Sequence, residues 1–177
     1  GTSGAIQADI GLDSLVVAEG AIGFDNLMHY YDPKMCDHPL AEALHSHMGN
    51  PKKINHSYYA LADEGLFATC VDLGMQPGIT ATNAGFYAPQ GRHLRTQKVV
   101  DYDNDHLSQF EYKNSVITNF DMETAGIYGL SRVLGHKAIS ISTILANRIN
   151  GAFSENADKA IHDMIAIVTS AIKEGKL

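Results

Sequence analysis

Hydrophobic and polar positions along the chain follow two alternating periods, which predicts strands interleaved with helices. Short apolar or alternating runs at 14–19, 75–84 and 137–148 are rich in β-branched residues and are typical of buried strands. Segments with apolar residues three or four apart predict amphipathic helices, with Ser154 as the expected N-cap of the last one. The predicted helices are 38–49, 57–74, 103–114, 122–135 and 154–176.

This alternation predicts an α/β fold in which a sheet is covered by helices on both faces, giving three layers. No repeat, low-complexity tract or linker divides the sequence, so we expect residues 1–177 to form a single domain. Ligands of such folds bind where loops gather at the strand ends. The candidate loops are therefore those that follow 75–84, precede 122 and follow 137–145.

Composition narrows the possible functions without identifying one. Hydrophobic residues make up 45% and charged residues 19%, which is ordinary for a globular protein. The 20 acidic residues outnumber the 13 lysines and arginines, which disfavours a nucleic-acid surface. No apolar run predicts a membrane span, and the first ten residues do not resemble a signal peptide. Cys36 and Cys70 lie far apart and fit free thiols, so a cytoplasmic protein is expected.

The segment GFYAPQGR (85–92) places aromatic rings beside an amide and a guanidinium. Glutamine both donates and accepts hydrogen bonds, whereas arginine only donates. Uracil presents carbonyl, N–H and carbonyl along one edge, so Gln90 can pair with the N–H and one carbonyl while Arg92 donates to the other. Phe86 can pack against the ring face. The alternative is a surface turn in which Arg92 extends into solvent and Phe86 packs into the core, and residue types alone do not decide between the two.

Three further segments carry candidate chemistry. In GTSGAIQ (1–7), small residues allow backbone amides to approach an anion, and Thr2 adds a hydroxyl, although these residues alone favour a glycine-rich turn without a ligand. In NFDMETAGIYG, Glu123 can accept two hydrogen bonds from a ribose diol, or it can simply be an acid near a helix N-terminus. Arg148 follows a predicted strand and can reach the same cleft as Arg92, or it can be solvated.

The histidines do not predict a metal site. His45 and His47 are two apart on a predicted helix and therefore point to different faces, and no HExxH or CxxC pattern is present. His29 and His93, near the candidate loops, are interpreted as ordinary polar residues. No metal and no cofactor are therefore predicted.

The segments GTSGAIQ, GFYAPQGR, NFDMET and ILANR occur in this order and at this spacing in the uridine phosphorylase branch of the nucleoside phosphorylase family, which the sequence resembles along essentially its whole length. The F-Y-x-x-Q-x-R element is the most discriminating part. The resemblance implies an α/β/α fold around a central mixed sheet. It also implies cleavage of a nucleoside by inorganic phosphate, the co-substrate, to ribose 1-phosphate and free base, in a homo-oligomer of dimers assembled into a hexamer.

The resemblance also implies a role for each motif. The glycine-rich segment would contact phosphate, the 85–92 segment would hold the base, the NFDMET segment would hold the ribose, and the arginine of ILANR would assist near O4 of uracil. The implied catalytic residues are Gln90, Arg92 and Glu123. The implied substrate-binding residues are Thr2, Gly4, Phe86, Gln90, Arg92, Met122, Glu123 and Arg148.

Departures from the family pattern leave alternatives open. Purine-specific relatives carry an aspartate where this sequence has Ala146, which favours a pyrimidine base. Phe120 and Asp121 stand where some relatives have tyrosine and glutamate, and the role of Asp121 stays open. The family also has a further segment before GTSG, its N-terminal third, which supplies phosphate-binding arginines, so the activity of this chain alone is open. The alternatives are a nucleoside-binding protein without turnover and a purine nucleoside phosphorylase or nucleosidase.

Overall fold

A computed structural model describes residues 1–31, 34, 38–49, 51, 56–97 and 104–177, and these form strands and helices in alternation. The strands are β1 (Thr2–Ala5), β2 (Leu15–Gly23), β3 (Tyr58–Leu61), β4 (Gln76–Thr82), β5 (Glu111–Tyr112), β6 (Ser115–Asp121), β7 (Ile141–Asn147) and β8 (Ala152–Phe153). The α-helices are α1 (His38–His47), α2 (Glu64–Asp72), α3 (Asn104–Ser108), α4 (Thr124–Val133) and α5 (Ala157–Lys173).

The sheet is mixed, as the sequence predicted. Its strand order is β3-β2-β4-β6-β1-β7-β8, and β5 forms a hairpin with β6. Strands β2, β4 and β6 run parallel to one another, whereas β1 is antiparallel to β6 and parallel to β7. The first residues of β2 also pair with β7, so the sheet curls back on itself. The curl brings the ends of β4, β6 and β7 to one region of the molecule.

Helices pack against both faces of this sheet because successive strand residues point to opposite sides. Tyr59 and Ile22 belong to a core cluster with residues of α1 and α3, whereas their neighbours Tyr58 and Ala21 belong to a cluster with residues of α4. A further cluster joins β2 to α2 through Cys70. The α/β class predicted from the sequence is therefore confirmed.

The prediction of one helix over 57–74 was wrong. Tyr58–Leu61 form strand β3, antiparallel to β2, and α2 begins only after Asp63, whose carboxylate caps the helix by accepting from the Leu66 amide at 3.0 Å. The apolar spacing within α2 is helical, but the residues before it contribute two tyrosines that each pack on a different face of the sheet. Cross-strand pairing overrides the helical pattern there.

The prediction of a helix over 103–114 was also wrong beyond Ser108, and position 103 lies outside the described residues. Helix α3 is short, and β5 and β6 follow as a hairpin whose two turn residues, Lys113 and Asn114, have φ of 48° and 69°. A two-residue hairpin turn requires such positive φ values. Strand β6 was not predicted from the sequence.

Two smaller expectations also changed. The GTSG segment, predicted as a glycine-rich loop, is strand β1, and α5 begins at Ala157 after Asn156 rather than at Ser154. Cys70 is a free, buried thiol whose pKa is raised by burial, whereas Cys36 lies outside the described residues. None of the helices in the described part of the chain combines the length and the apolarity needed to cross a bilayer.

Candidate active site

The strand ends form an open cleft of about 490 Å³. Parallel strands β4 and β6 end side by side, with Thr82 opposite Asp121, and β1 lies between β6 and β7. The loops after β4, β6 and β7 therefore converge above β1. All eight site residues predicted from the sequence line this cleft: Thr2, Gly4, Phe86, Gln90, Arg92, Met122, Glu123 and Arg148.

The loop after β4 folds back so that its arginine covers its phenylalanine. Gln90 closes a short 3₁₀ turn, and Gly91 follows with a left-handed φ of 78°, which glycine adopts without steric cost. The chain reverses there, and the Arg92 guanidinium lies 3.6 Å from the centroid of the Phe86 ring while donating to the Phe86 carbonyl at 2.6 Å. Phe86 is 50% exposed, so the interpretation in which it packs into the core does not hold.

Two arginines converge on the side chain of Gln90. Arg92 donates to Gln90 Oε1 at 2.9 Å, and Arg148 donates to the same oxygen at 2.8 Å and to the Gln90 carbonyl at 2.8 Å. An amide oxygen has two lone pairs, and both are engaged here. For Gln90 to accept from a base N–H as the sequence predicted, one arginine must move away. The Gln90 amide nitrogen lies 3.5 Å from the Asp121 carbonyl and stays available as a donor.

Arg148 reaches Gln90 because the turn after β7 is tightly held. The buried Asn147 side chain donates to the carbonyls of Gln7 and Ile10, at 2.8 and 3.0 Å, so it fixes the end of the strand. The Arg148 side chain then crosses β1 at Gly4, where a Cβ atom would lie 3.3 Å from Arg148 Nε. Its guanidinium lies 4.6 Å from the centroid of the Phe120 ring. In this structure Gly4 provides room for Arg148, while its predicted contact with phosphate stays a prediction.

This end of the cleft is electropositive. Burial first, and the neighbouring Arg92 second, lower the pKa of Arg148 from its usual value to about 10, and burial lowers the pKa of Arg92. Among the described residues, neither guanidinium forms an ion pair with a carboxylate. Both groups remain charged at neutral pH. Two cations that repel each other and have no acidic partner favour an anionic or electron-rich ligand.

The opposite wall of the cleft contains Met122 and Glu123, which lie between β6 and α4. Met122 is exposed, and the exposed Glu123 carboxylate accepts from the Met122 amide at 3.2 Å through one oxygen. An ionised carboxylate offers about four lone-pair positions, so most of its acceptor capacity remains for hydroxyl groups. The neighbouring carboxylate of Asp121 instead bonds to Thr82 and Thr124 of the protein.

Thr2 is exposed at the floor of the cleft, but its surroundings differ from the expected anion cradle. Strand β1 pairs with β7 from Thr2 to Ala5 and with β6 at Gly4 and Ala5, so the sheet engages much of the backbone that a loop would have offered. Ser3 donates to the Phe120 carbonyl at 2.5 Å and accepts from the buried Asn119 side chain at 2.9 Å. The Thr2 hydroxyl is therefore the clearest donor for an anion on this strand.

Sequence reasoning missed one aromatic wall of the cleft. Phe153 is 74% exposed and lies in β8 opposite Ala146 of β7. A single aromatic in a short, turn-rich segment carries no periodic signal, so only the strand pairing identifies it. His29 and His93 do not line the cleft. In the part of the chain that the structure describes, no three potential metal-ligating side chains come together.

Comparisons with known proteins agree with this geometry. The family model described as the phosphorylase superfamily matches residues 1–173. Among curated proteins, the chain is 24% identical over 179 residues to the uridine phosphorylase of Thermococcus kodakarensis, covering 98% of this chain and 55% of that protein. It is also 24% identical over 174 residues to a DeoD-type purine nucleoside phosphorylase of Buchnera aphidicola, covering 97% of this chain and 62% of that protein.

Solved structures show the same fold. A Trypanosoma brucei nucleoside phosphorylase, described as showing uridine phosphorylase activity, superposes with a TM-score of 0.82 at 23% identity, covering 98% of this chain and 62% of that one. A Toxoplasma gondii purine nucleoside phosphorylase superposes with a TM-score of 0.68 at 15% identity, covering 99% and 62%. The chain thus spans 55–62% of the length of these relatives. They include both uridine and purine enzymes.

Proposed function

The chain belongs to the phosphorylase superfamily, and we propose that it acts in the phosphorolysis of uridine. In this reaction an oxygen of inorganic phosphate bonds to C1′ of the ribose while the bond from C1′ to N1 of uracil breaks, which gives ribose 1-phosphate and uracil. The observation that carries the proposal is the pair of arginines on Gln90, which together with its amide N–H groups offer only donors to the base end of the cleft.

These donors suit the two carbonyl oxygens of the leaving group, whereas its N–H can bond to Gln90 Oε1 once one arginine has moved aside. As the glycosidic bond stretches, uracil gains negative charge over its ring and carbonyl oxygens, so donors from Arg92, Arg148 and Gln90 bond the departing base more strongly than the neutral ring. Such a difference between transition state and ground state accelerates the chemical step. Because the Arg148 pKa of about 10 lies above neutrality, its guanidinium is charged when the reaction takes place. Phe86, on the face not covered by Arg92, stacks against the base.

The sugar and phosphate subsites complete the proposal. Glu123 accepts hydrogen bonds from the ribose hydroxyls. In the described part of the chain, only one of its acceptor positions is occupied, by the Met122 amide. Met122 lies along the ribose, and the Thr2 hydroxyl donates to phosphate on the floor of the cleft. Phosphate itself supplies the nucleophile, so the chemistry requires no nucleophilic side chain.

Ala146 supports the choice of a pyrimidine. It lines the cleft beside Arg148, and a methyl side chain cannot donate a proton to a purine ring nitrogen as an acid would. Because the relatives include purine enzymes, the preferred base is tested by offering the protein uridine and inosine together. We expect uridine to be cleaved in preference to inosine, and preferential cleavage of inosine would reverse the assignment.

The decisive experiment is phosphate-dependent release of uracil from uridine by the purified protein, measured by chromatography. We expect uracil and ribose 1-phosphate in equal amounts, only when phosphate is present. Replacing Arg92 by alanine should remove most of this activity, whereas replacing Arg132, an exposed arginine of α4 outside the cleft, should not. Equal activity in both variants would contradict the proposal.

A second candidate, a nucleoside-binding protein without turnover, is favoured by one observation. Among the described residues at the floor of the cleft, the Thr2 hydroxyl is the clearest side-chain donor for phosphate, because the Ser3 hydroxyl donates to the Phe120 carbonyl and β1 pairs with β7 along its length. Calorimetry with uridine, with and without phosphate, separates the two. Binding that is indifferent to phosphate, with no product, would establish the second candidate.

The resemblance further supports two proposals about context. We propose that the protein assembles as dimers within a hexamer, and that it works in the cytoplasm on nucleosides rather than on nucleic acids or membranes. Light scattering of the purified protein tests the first, and fractionation of the source cells tests the second. A monomer that cleaves uridine at full rate would contradict the assembly proposal.

A further inference from the structure

The carboxylate of Asp121 lies at the edge of the cleft but bonds to the protein. Its Oδ1 accepts from the Thr82 hydroxyl at 2.6 Å, and its Oδ2 accepts from the Thr124 amide at 3.0 Å and from the Thr124 hydroxyl. Thr82 in turn accepts from the Ala125 amide at 3.0 Å. Both threonines are almost fully buried, so these bonds are shielded from water.

These contacts join three elements at one point. Asp121 is the last residue of β6, Thr82 is the last residue of the parallel strand β4 directly opposite, and Thr124 is the first residue of α4. The first two amides of α4 are therefore satisfied by Asp121 and Thr82. Glu123, which precedes the helix, makes no capping bond with its side chain. Its carboxylate is thus left to face the cleft.

The same residue reaches the base loop through its backbone. The Asp121 carbonyl accepts from the Asn83 amide at 2.9 Å, at the start of the loop that carries Phe86, and lies 3.5 Å from the Gln90 amide nitrogen. Met122 and Glu123 lie between two anchored residues, Asp121 and Thr124. A change in the Asp121 carboxylate would therefore be transmitted first to this two-residue segment.

We propose that Asp121 is a positioning residue, which with Thr82 and Thr124 fixes the Met122–Glu123 segment and does not itself contact substrate. The inference rests on the proposed function for what Glu123 binds, namely the ribose. It assigns different roles to the carboxylates of Asp121 and Glu123, which lie two residues apart. Glu123 accepts hydrogen bonds from hydroxyl groups. Asp121 holds the segment that carries Glu123, because Thr82 and Thr124 supply three donors to its roughly four acceptor positions.

The first test separates sugar binding from base binding. Calorimetry with uridine and with uracil is carried out on the wild type, Asp121→Asn, Thr82→Val and Thr82→Ser, with the exposed Asp163→Asn on α5 as a control for loss of charge. In Asp121→Asn, an NH₂ group replaces one carboxylate oxygen. It faces a threonine donor and can no longer accept a hydrogen bond from it. We expect Asp121→Asn and Thr82→Val to weaken uridine binding by about tenfold or more, the loss expected for one hydrogen bond to a charged group.

In the same experiment, uracil affinity should stay unchanged in every variant, because Arg92 and Arg148 do not depend on the Asp121 carboxylate. Thr82→Ser keeps the hydroxyl and should bind uridine like the wild type. Unchanged uridine affinity in Asp121→Asn and Thr82→Val would overturn the proposal. Equal loss of uridine and uracil binding would also overturn it, because the residue would then act through general stability.

The second test does not depend on any ligand. Amide hydrogen exchange by NMR reports on the Thr124 and Ala125 amides, which bond to Asp121 and Thr82, and on the Leu134 amide at the other end of α4. In Asp121→Asn we expect the Thr124 amide to exchange about tenfold faster or more while Leu134 is unaffected. Unchanged exchange at Thr124 would overturn the inference, whether or not the wild type binds a ligand. Failure of the wild type to bind either uridine or uracil would by itself reject only the proposed function.

Discussion

Replacing Arg148 by methionine should affect activity far more than stability. Methionine keeps most of the length and apolar surface of the side chain but removes the guanidinium. The variant loses two hydrogen bonds of 2.8 Å, to the Gln90 carbonyl and to Gln90 Oε1, and the contact with the Phe120 ring. Gln90 Oε1 is then held by Arg92 alone.

Two effects of similar size oppose each other in the folded protein. Hydrogen bonds to a charged group contribute about 1.5–3 kcal/mol each, and because this guanidinium is partly exposed we discount the two bonds together to about 2–4 kcal/mol. The lowering of the Arg148 pKa from its usual value to about 10 would correspond to about 3 kcal/mol against the charged form at full burial. Since the side chain is only partly buried, we discount this cost to about 1–2 kcal/mol. The net loss of folding stability should therefore be about 1–2 kcal/mol.

The effect on catalysis lacks this compensation. Under the proposed function, Arg148 donates to the side of the base on which charge develops, and loss of one such donor lowers the rate by about 10²–10³. The assay pairs urea unfolding with the rate of uracil release from uridine, and exposed Arg132→Met is the matched control. A loss of stability well above 3 kcal/mol, or activity within about twofold of wild type, would refute the reasoning, because Arg148 would then be a structural brace or lie away from the base.

Three further changes test other parts of the site and core. Glu123→Gln should weaken uridine binding by about tenfold without changing uracil binding, because a neutral amide accepts hydroxyl groups less strongly; Glu155→Gln is the exposed control, measured by calorimetry. Gly4→Ala places a Cβ 3.3 Å from Arg148 Nε and should shift the guanidinium, so uracil affinity should fall while the unfolding midpoint changes little. Tyr128→Phe removes a buried hydroxyl that bonds one backbone carbonyl at 2.8 Å and one amide at 2.7 Å, and should cost about 2–4 kcal/mol in urea unfolding.

Each of these predictions has an outcome that contradicts it. Equal weakening of uridine and uracil by Glu123→Gln would remove the carboxylate from the ribose subsite. Wild-type uracil affinity in Gly4→Ala would mean that the arginine adjusts without moving its guanidinium. A Tyr128→Phe variant as stable as wild type would mean that the two backbone groups find other partners.

The local pattern of apolar residues was sufficient to predict those elements in which pairing with distant strands does not override that pattern. Helix α1 begins at the predicted residue, strand β7 lies within the predicted run 137–148, and helix α4 begins within two residues of its prediction. The segment at 57–74 could not be predicted in this way because the Tyr58–Leu61 run pairs with β2, a partner about forty positions earlier in the chain. The GTSG segment likewise reads as a loop until β6 and β7 pair with it on both sides.

The sequence by itself determined the α/β class, the family resemblance and eight of the residues that line the cleft, since the residues of each motif are close in the chain. Only the tertiary structure decided what those residues can offer a ligand. Gln90 and Arg148 are 58 positions apart, yet their contact, together with Arg92, occupies both lone pairs of the amide oxygen and leaves the Gln90 side chain with only N–H groups to offer a ligand. Asp121 is similarly turned toward Thr82, 39 positions earlier. Hydrogen-bond partners that distant are set by strand order and register, which no local pattern encodes.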